Sequence, residues 1–149
     1  YHITGWKMGY CIAPSFLTSE FRKLHQWVTF SSATPLQYAL ADYLKEPAHY
    51  LGLSDFYQKK RDLFASQFAR SAWKVLPSAG SFFQCLDYSA ISNEKDVDLA
   101  DRLTREIKVA SIPVSVFYET DPGDKILRFC FAKEDEVLVE AAKRLIQIL

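Results

Sequence analysis

Two basic residues stand on segments where packing alone does not ask for a charge. The first lies in Gly5-Trp6-Lys7-Met8-Gly9-Tyr10-Cys11-Ile12. Side chains alternate between faces along a strand. Read as a strand, this segment puts Trp6, Met8, Tyr10 and Ile12 on one bulky face and Gly5, Lys7, Gly9 and Cys11 on the other. Lys7 then sits on a nearly bare surface, between glycines that let another group approach the backbone closely. The second is Arg128, in Ile126-Leu127-Arg128-Phe129-Cys130-Phe131. Leu127, Phe129 and Phe131 share a face, and Arg128 lies between Ile126 and Cys130 on the other. Two cations on apolar strands suit the holding of an anion at each. On spacing alone each has a plainer reading: Lys7 as a solvated strand lysine, Arg128 as a snorkelling edge residue.

Other chemistry is poorly provided for. Cys11, Cys85 and Cys130 are odd in number and show no C-x-x-C spacing, so neither a disulfide framework nor a zinc site is expected. Buried, reduced thiols in a cytoplasmic protein fit them best. His2, His25 and His49 are too scattered to form a metal set. The Lys59-Lys60-Arg61 run reads as a solvated helix face. Phe82, Phe83, Phe117 and Tyr118 read as core rather than pocket.

The elements that would position Lys7 and Arg128 can be traced along the chain. The first strand covers 5–13 and is closed by Pro14. A helix starts near Ser15 or Thr18 and runs to about Phe30. Ser31-Ser32-Ala33-Thr34-Pro35 breaks it, and Pro35 opens a second helix through Leu44. Glu46-Pro47 ends that one. Ser54 caps a long helix bearing Phe56, Lys60, Leu63, Phe64 and Phe68. Beyond Ser71 the period changes to strands at 73–76 and 81–86. A helix follows from Asp96 to Val109, then a strand from Pro113 to Tyr118. Asp121-Pro122-Gly123-Asp124 is a turn before the Arg128 strand. The last helix opens with Glu134, Asp135 and Glu136 and holds Lys143 and Arg144 near its end, as the helix dipole favours. Leu138, Ala141, Ala142, Leu145 and Leu149 form its buried stripe. The second half is thus an α+β unit with helices over one face of a small sheet.

Composition agrees with a folded chain of 149 residues: 49% are hydrophobic and 15% aromatic. Lys plus Arg and Asp plus Glu are both 18, a formal net charge of zero, which offers nothing to nucleic acid or an anionic membrane. No apolar run is long enough to span a bilayer. There is no initiator Met and no signal peptide, and the chain opens inside a strand-like segment, so it reads as a fragment.

Five segments in order resemble a known family. Tyr1-His2-Ile3-Thr4-Gly5-Trp6-Lys7-Met8-Gly9-Tyr10 is similar to the stretch after the cofactor lysine of fold-type I, pyridoxal-phosphate-dependent aminotransferases of class I/II. Ser32-Ala33-Thr34-Pro35-Leu36-Gln37 resembles the loop and helix that follow. Ala79-Gly80-Ser81-Phe82-Phe83, Ile112-Pro113-Val114-Ser115-Val116-Phe117-Tyr118 and Leu127-Arg128-Phe129-Cys130-Phe131-Ala132-Lys133 resemble the small C-terminal domain. The methionine and kynurenine aminotransferase group carries similar runs.

The resemblance implies an α/β chain in three parts: 1–48 as the tail of the large cofactor-binding domain, 49–72 as a linking helix and 73–149 as the small α+β domain. It implies pyridoxal phosphate as cofactor, with Lys7 on its phosphate and Arg128 on the substrate α-carboxylate. The Schiff-base lysine precedes Lys7 by eight positions in the family, which places it upstream of Tyr1. The chain is then expected to lack the catalytic nucleophile and to be inactive alone. The implied reaction moves an amino group between a methionine-like or aromatic α-amino acid and a 2-oxo acid, in a cytoplasmic homodimer. A carbon–sulfur lyase, an aminocyclopropane-carboxylate-synthase-like enzyme and a non-catalytic regulatory module on the same scaffold remain open, since fold does not fix reaction.

Overall fold

The computed structural model describes residues 1 and 3–148. His2, and Leu149 of the expected buried stripe, lie outside that range. The chain divides into two compact units, Tyr1–Leu53 and Ser54–Leu149.

The first unit is helical. Helix α1 spans Ser15–Val28, α2 spans Thr34–Tyr43 and the short α3 spans Ala48–Leu51. Pro35 sits in the first turn of α2, where its missing N–H costs nothing. The expected strand over 5–13 is not formed. Thr4–Trp6 is a single 3-10 turn, and Lys7 closes it in the left-handed region at φ 56°. Among the described residues no backbone hydrogen bond joins 8–12 to another segment. A strand exists only against a partner, and alternation of side chains cannot supply one. Trp6, Tyr10, Cys11 and Ile12 are consequently exposed, so Cys11 is not the buried thiol its apolar neighbours suggest. Aromatic contacts hold the unit's end together. Tyr1 meets Tyr43 and Tyr50 edge-on, and Tyr43 stacks on His49 at 4.6 Å.

The second unit carries the core. Helix α4 spans Leu53–Ser66, with all but its first residue in this unit. Four strands follow: β1 at Lys74–Val75, β2 at Phe83–Asp87, β3 at Ile112–Pro113 and β4 at Ile126–Cys130. Helix α5, Asp96–Arg102, widens into a π turn at Leu103–Ile107, and α6 spans Asp135–Ile146. The sheet is antiparallel in the order β1-β2-β4-β3. Strands β2 and β4 alternate buried and half-buried residues. Leu86, Leu127 and Phe129 pack with Phe64, Leu99, Leu103, Leu138 and Leu145 in one apolar cluster. Within it Trp73 donates its indole N–H to the Leu145 carbonyl at 2.9 Å. Helices therefore cover one sheet face, as the pattern of the second half requires. No helix among the described residues is long and apolar enough to cross a membrane.

Two expectations fail locally. The strand expected from Pro113 to Tyr118 stops after Pro113, and Ser115–Phe117 forms a 3-10 turn. The buried Asp96 carboxylate accepts hydrogen bonds from the Ser115 amide at 2.8 Å and its hydroxyl at 2.7 Å, and this draws the chain off the sheet. The Lys59-Lys60-Arg61 run is not a uniformly solvated face. Lys60 pairs with Asp135 at 2.7 Å, tying α4 to the first turn of α6, and Arg61 pairs with Asp62 and donates to the Ser78 carbonyl. In the turn before β4, Gly123 takes φ +73° while its amide donates to Asp121 Oδ1. A side chain would be strained there.

Candidate functional site

Arg128 stands on the sheet face opposite the helices. Register puts Cys85 of β2 and Ile112 of β3 directly across from it, and Phe83 across from Cys130. Its guanidinium carbon lies 4.2 Å from the Phe83 ring centroid and 5.0 Å from that of Phe117. Two aromatic rings thus lie within cation–π distance of the planar cation, an arrangement that suits arginine better than lysine. Phe117 is 61% exposed, so it is not core. Phe83 likewise serves the site. Burial pushes the Cys85 thiol pKa up, and the nearby Arg128 charge partly opposes this.

Among the described residues Arg128 makes no ion pair or hydrogen bond, and its Nε is buried without a partner. A buried donor left unpaired costs about 1–3 kcal/mol, more when charged. Such a group is retained where something else pairs with it. Arg128 also lines a cavity of about 360 Å³ together with Phe83, Ser111, Ile112, Cys130 and Lys133. Ser111 Oγ is a second buried polar atom without a partner among the described residues. The site therefore offers a fork of N–H donors, aromatic walls and an apolar hollow. Those features match a carboxylate joined to an apolar body.

Lys7 belongs to the first unit and Arg128 to the second. Lys7 is exposed; its amide donates to the Thr4 carbonyl at 3.3 Å, while among the described residues its side chain makes no hydrogen bond or ion pair. Nothing lies within 4 Å of where a Cβ would sit on Gly5 or Gly9. The bare surroundings expected for Lys7 are present although the strand is not. An unengaged ammonium with open space beside it is chemically fit to meet a phosphate.

Alternation within β4 marks Arg128 as a cation on an otherwise apolar strand, and only the resemblance to the family assigns it a carboxylate. The Phe83–Phe117 pair, Ser111 and the Asp96–Ser115 link carry no such local signal, because each depends on residues distant in the chain. Only the match of aromatic types to the two flanks of an arginine pocket could have hinted at the first.

Residues 1–145 match the family model "Aminotransferase class I and II". The chain is 49% identical over 149 residues to methionine aminotransferase of Escherichia coli, covering 99% of this chain and 39% of that protein. It is 31% identical to kynurenine–oxoglutarate transaminase of Dictyostelium discoideum, again over 99% of this chain and 39% of that protein. The solved structure of the E. coli methionine aminotransferase superposes with a TM-score of 0.91 over 99% of this chain and 39% of its own. That of N-succinyldiaminopimelate aminotransferase from Mycobacterium tuberculosis, 28% identical, gives 0.90 over 100% and 39%. The chain thus spans 39% of the length of these relatives. Members of the family use pyridoxal phosphate. With a family model matching nearly its whole length, the chain belongs to the class I and II aminotransferases.

Proposed function

We propose that this chain works in a pyridoxal-phosphate-dependent aminotransferase that moves an amino group between an α-amino acid, methionine-like or aromatic, and a 2-oxo acid. The observation that carries the reading is the unpaired Arg128 guanidinium between Phe83 and Phe117, on the wall of an apolar cavity. Arg128 binds the carboxylate that amino acid and oxo acid share, and the cavity accepts part of an apolar side chain. Lys7 holds the cofactor phosphate as a point charge. Bound pyridoxal phosphate supplies the electron sink for the transfer. The protein's share is to bind and orient. Arg128 fixes one end of the substrate, and fixing one end restricts the geometry at the reacting carbon. Resemblance to the family further suggests a homodimer acting on small-molecule substrates, the cysteine usage a cytoplasmic setting, and the zero net charge neither nucleic acid nor membrane as partner. The covalent attachment of the cofactor falls to a lysine that precedes Lys7 by eight positions in the family.

The test is a product balance on the assembled enzyme with cofactor, an amino acid and a 2-oxo acid. The reading expects one new oxo acid for each new amino acid. Release of ammonia or a free thiol in place of that exchange overturns it.

A further inference from the structure

We propose that Asp96 is a positioning residue for Arg128, acting through Ser115 and Phe117, an inference that rests on the carboxylate-binding role of Arg128. Asp96 is only 4% exposed, and it is the first residue of α5. Among the described residues it has no cationic partner. One carboxylate oxygen accepts the Ser115 amide and the other the Ser115 hydroxyl, at 2.8 and 2.7 Å. The helix N-terminus favours a negative charge there. Burying a carboxylate is nevertheless costly unless it is well satisfied, and here both oxygens are spent on one residue of a surface turn.

That turn does little for the core. It contains no buried residue, and Val116, Phe117 and Tyr118 are 57%, 61% and 54% exposed. Just before it the Val114 amide makes a long hydrogen bond to the Ile126 carbonyl, at 3.4 Å. The consequence of anchoring Ser115 is the placement of Phe117, two residues on, at 5.0 Å from the guanidinium. Phe83, on the other flank, is already fixed by β2. Asp96 therefore sets the half of the aromatic clamp that the sheet does not. With both rings in place the guanidinium plane is held, and its fork of donors keeps one orientation. Loosening the turn frees the plane, so the carboxylate must then order the arginine as it binds.

The experiment uses the full chain and reads Arg128 directly. Side-chain protons between two aromatic faces are shifted by the ring currents, and the Arg128 Nε–H reports on any carboxylate that pairs with it. The spectra compare the parent chain with Phe117→Ala, Asp96→Asn, Ser115→Ala and the double variant Asp96→Asn/Phe117→Ala. In Asp96→Asn the Arg128 resonances move toward their positions in Phe117→Ala, while resonances of the core leucines stay put. Ser115→Ala moves them the same way by less, and carries the test if Asp96→Asn does not fold. Adding Asp96→Asn to Phe117→Ala produces no further movement. Titration with propionate, at constant ionic strength, weakens about 2- to 5-fold in Asp96→Asn, the size of one cation–π contact at a partly exposed site. Unmoved Arg128 resonances in Asp96→Asn overturn the inference. So does an equal shift in the presence and absence of Phe117. If propionate leaves the parent Nε–H unchanged, the carboxylate role of Arg128 fails, while the ring-current shifts still decide whether Asp96 controls the clamp.

Discussion

Arg128 offers a carboxylate two parallel N–H donors, a pairing that a point charge does not reproduce. Replacing it by Ala in the assembled enzyme removes a pair of charge-assisted hydrogen bonds. The expected loss in kcat/KM is about 10- to 100-fold for amino acid and oxo acid alike, with KM raised and cofactor retention little changed. Arg128→Lys recovers only part of this, because an ammonium lacks the planar fork that two aromatic rings can clamp. Steady-state kinetics on both half-reactions measure it. Lys7 gives the converse pattern. Lys7→Ala releases pyridoxal phosphate more readily, by about 10-fold or more for one lost charge-assisted contact, with the KM for amino acid less affected. Cofactor titration against a fixed enzyme concentration reads this, and unchanged retention counts against the phosphate role.

Secondary structure and its joints explain which parts of the site could be foreseen. The Pro35 start of α2, the acidic opening and basic close of α6, and the alternation of β4 are local devices, and each produced its element. Arg128 was legible for the same reason. The expected strand over 5–13 needs a hydrogen-bonding partner that its own residues do not encode. The turn at Ser115–Phe117 is dictated by Asp96, 19 residues away in sequence, so the segment's β-branched and aromatic residues misled. Tyr88, just after β2, gives a prediction at this scale. It is 0% exposed, its hydroxyl donates to the Glu94 carbonyl, and burial first, then the charges of Asp96 and Glu94, push its pKa up to about 12. The folded state thus holds this proton more tightly than the unfolded chain, whose phenol titrates near 10. The corresponding stability is fully present below pH 10 and is lost as pH rises from 10 to 12, to the extent of about 2–3 kcal/mol. Denaturant titrations across that window show the fall, and Tyr88→Phe flattens it.

At the scale of the whole chain, stability is unevenly distributed. Among the described residues, all fifteen buried hydrophobic ones, Phe64 to Leu145, belong to the second unit. The helices of the first unit bury none, and Phe16, Leu17, Phe21, Leu24 and Trp27 of α1 are exposed. Core amides of β2 and β4 are therefore expected to exchange only through global unfolding of their unit, and those of α1 and α2 much faster. Hydrogen exchange by mass spectrometry separates the two. Leu127→Ala, in the middle of the core, costs about 2–5 kcal/mol and speeds exchange across the second unit. Equal protection of α1 and β4 in a monomeric sample contradicts this division.

The central claim is that Arg128 recognises a substrate carboxylate, and one comparison tests it most directly. In the assembled enzyme, kcat/KM is measured for an α-amino acid and for the amine that matches it but lacks the carboxylate, in the parent and in Arg128→Ala. The account predicts a strong preference of the parent for the amino acid, and collapse of that preference in the variant through loss on the amino acid alone. A variant that still prefers the amino acid by the parent's ratio contradicts it.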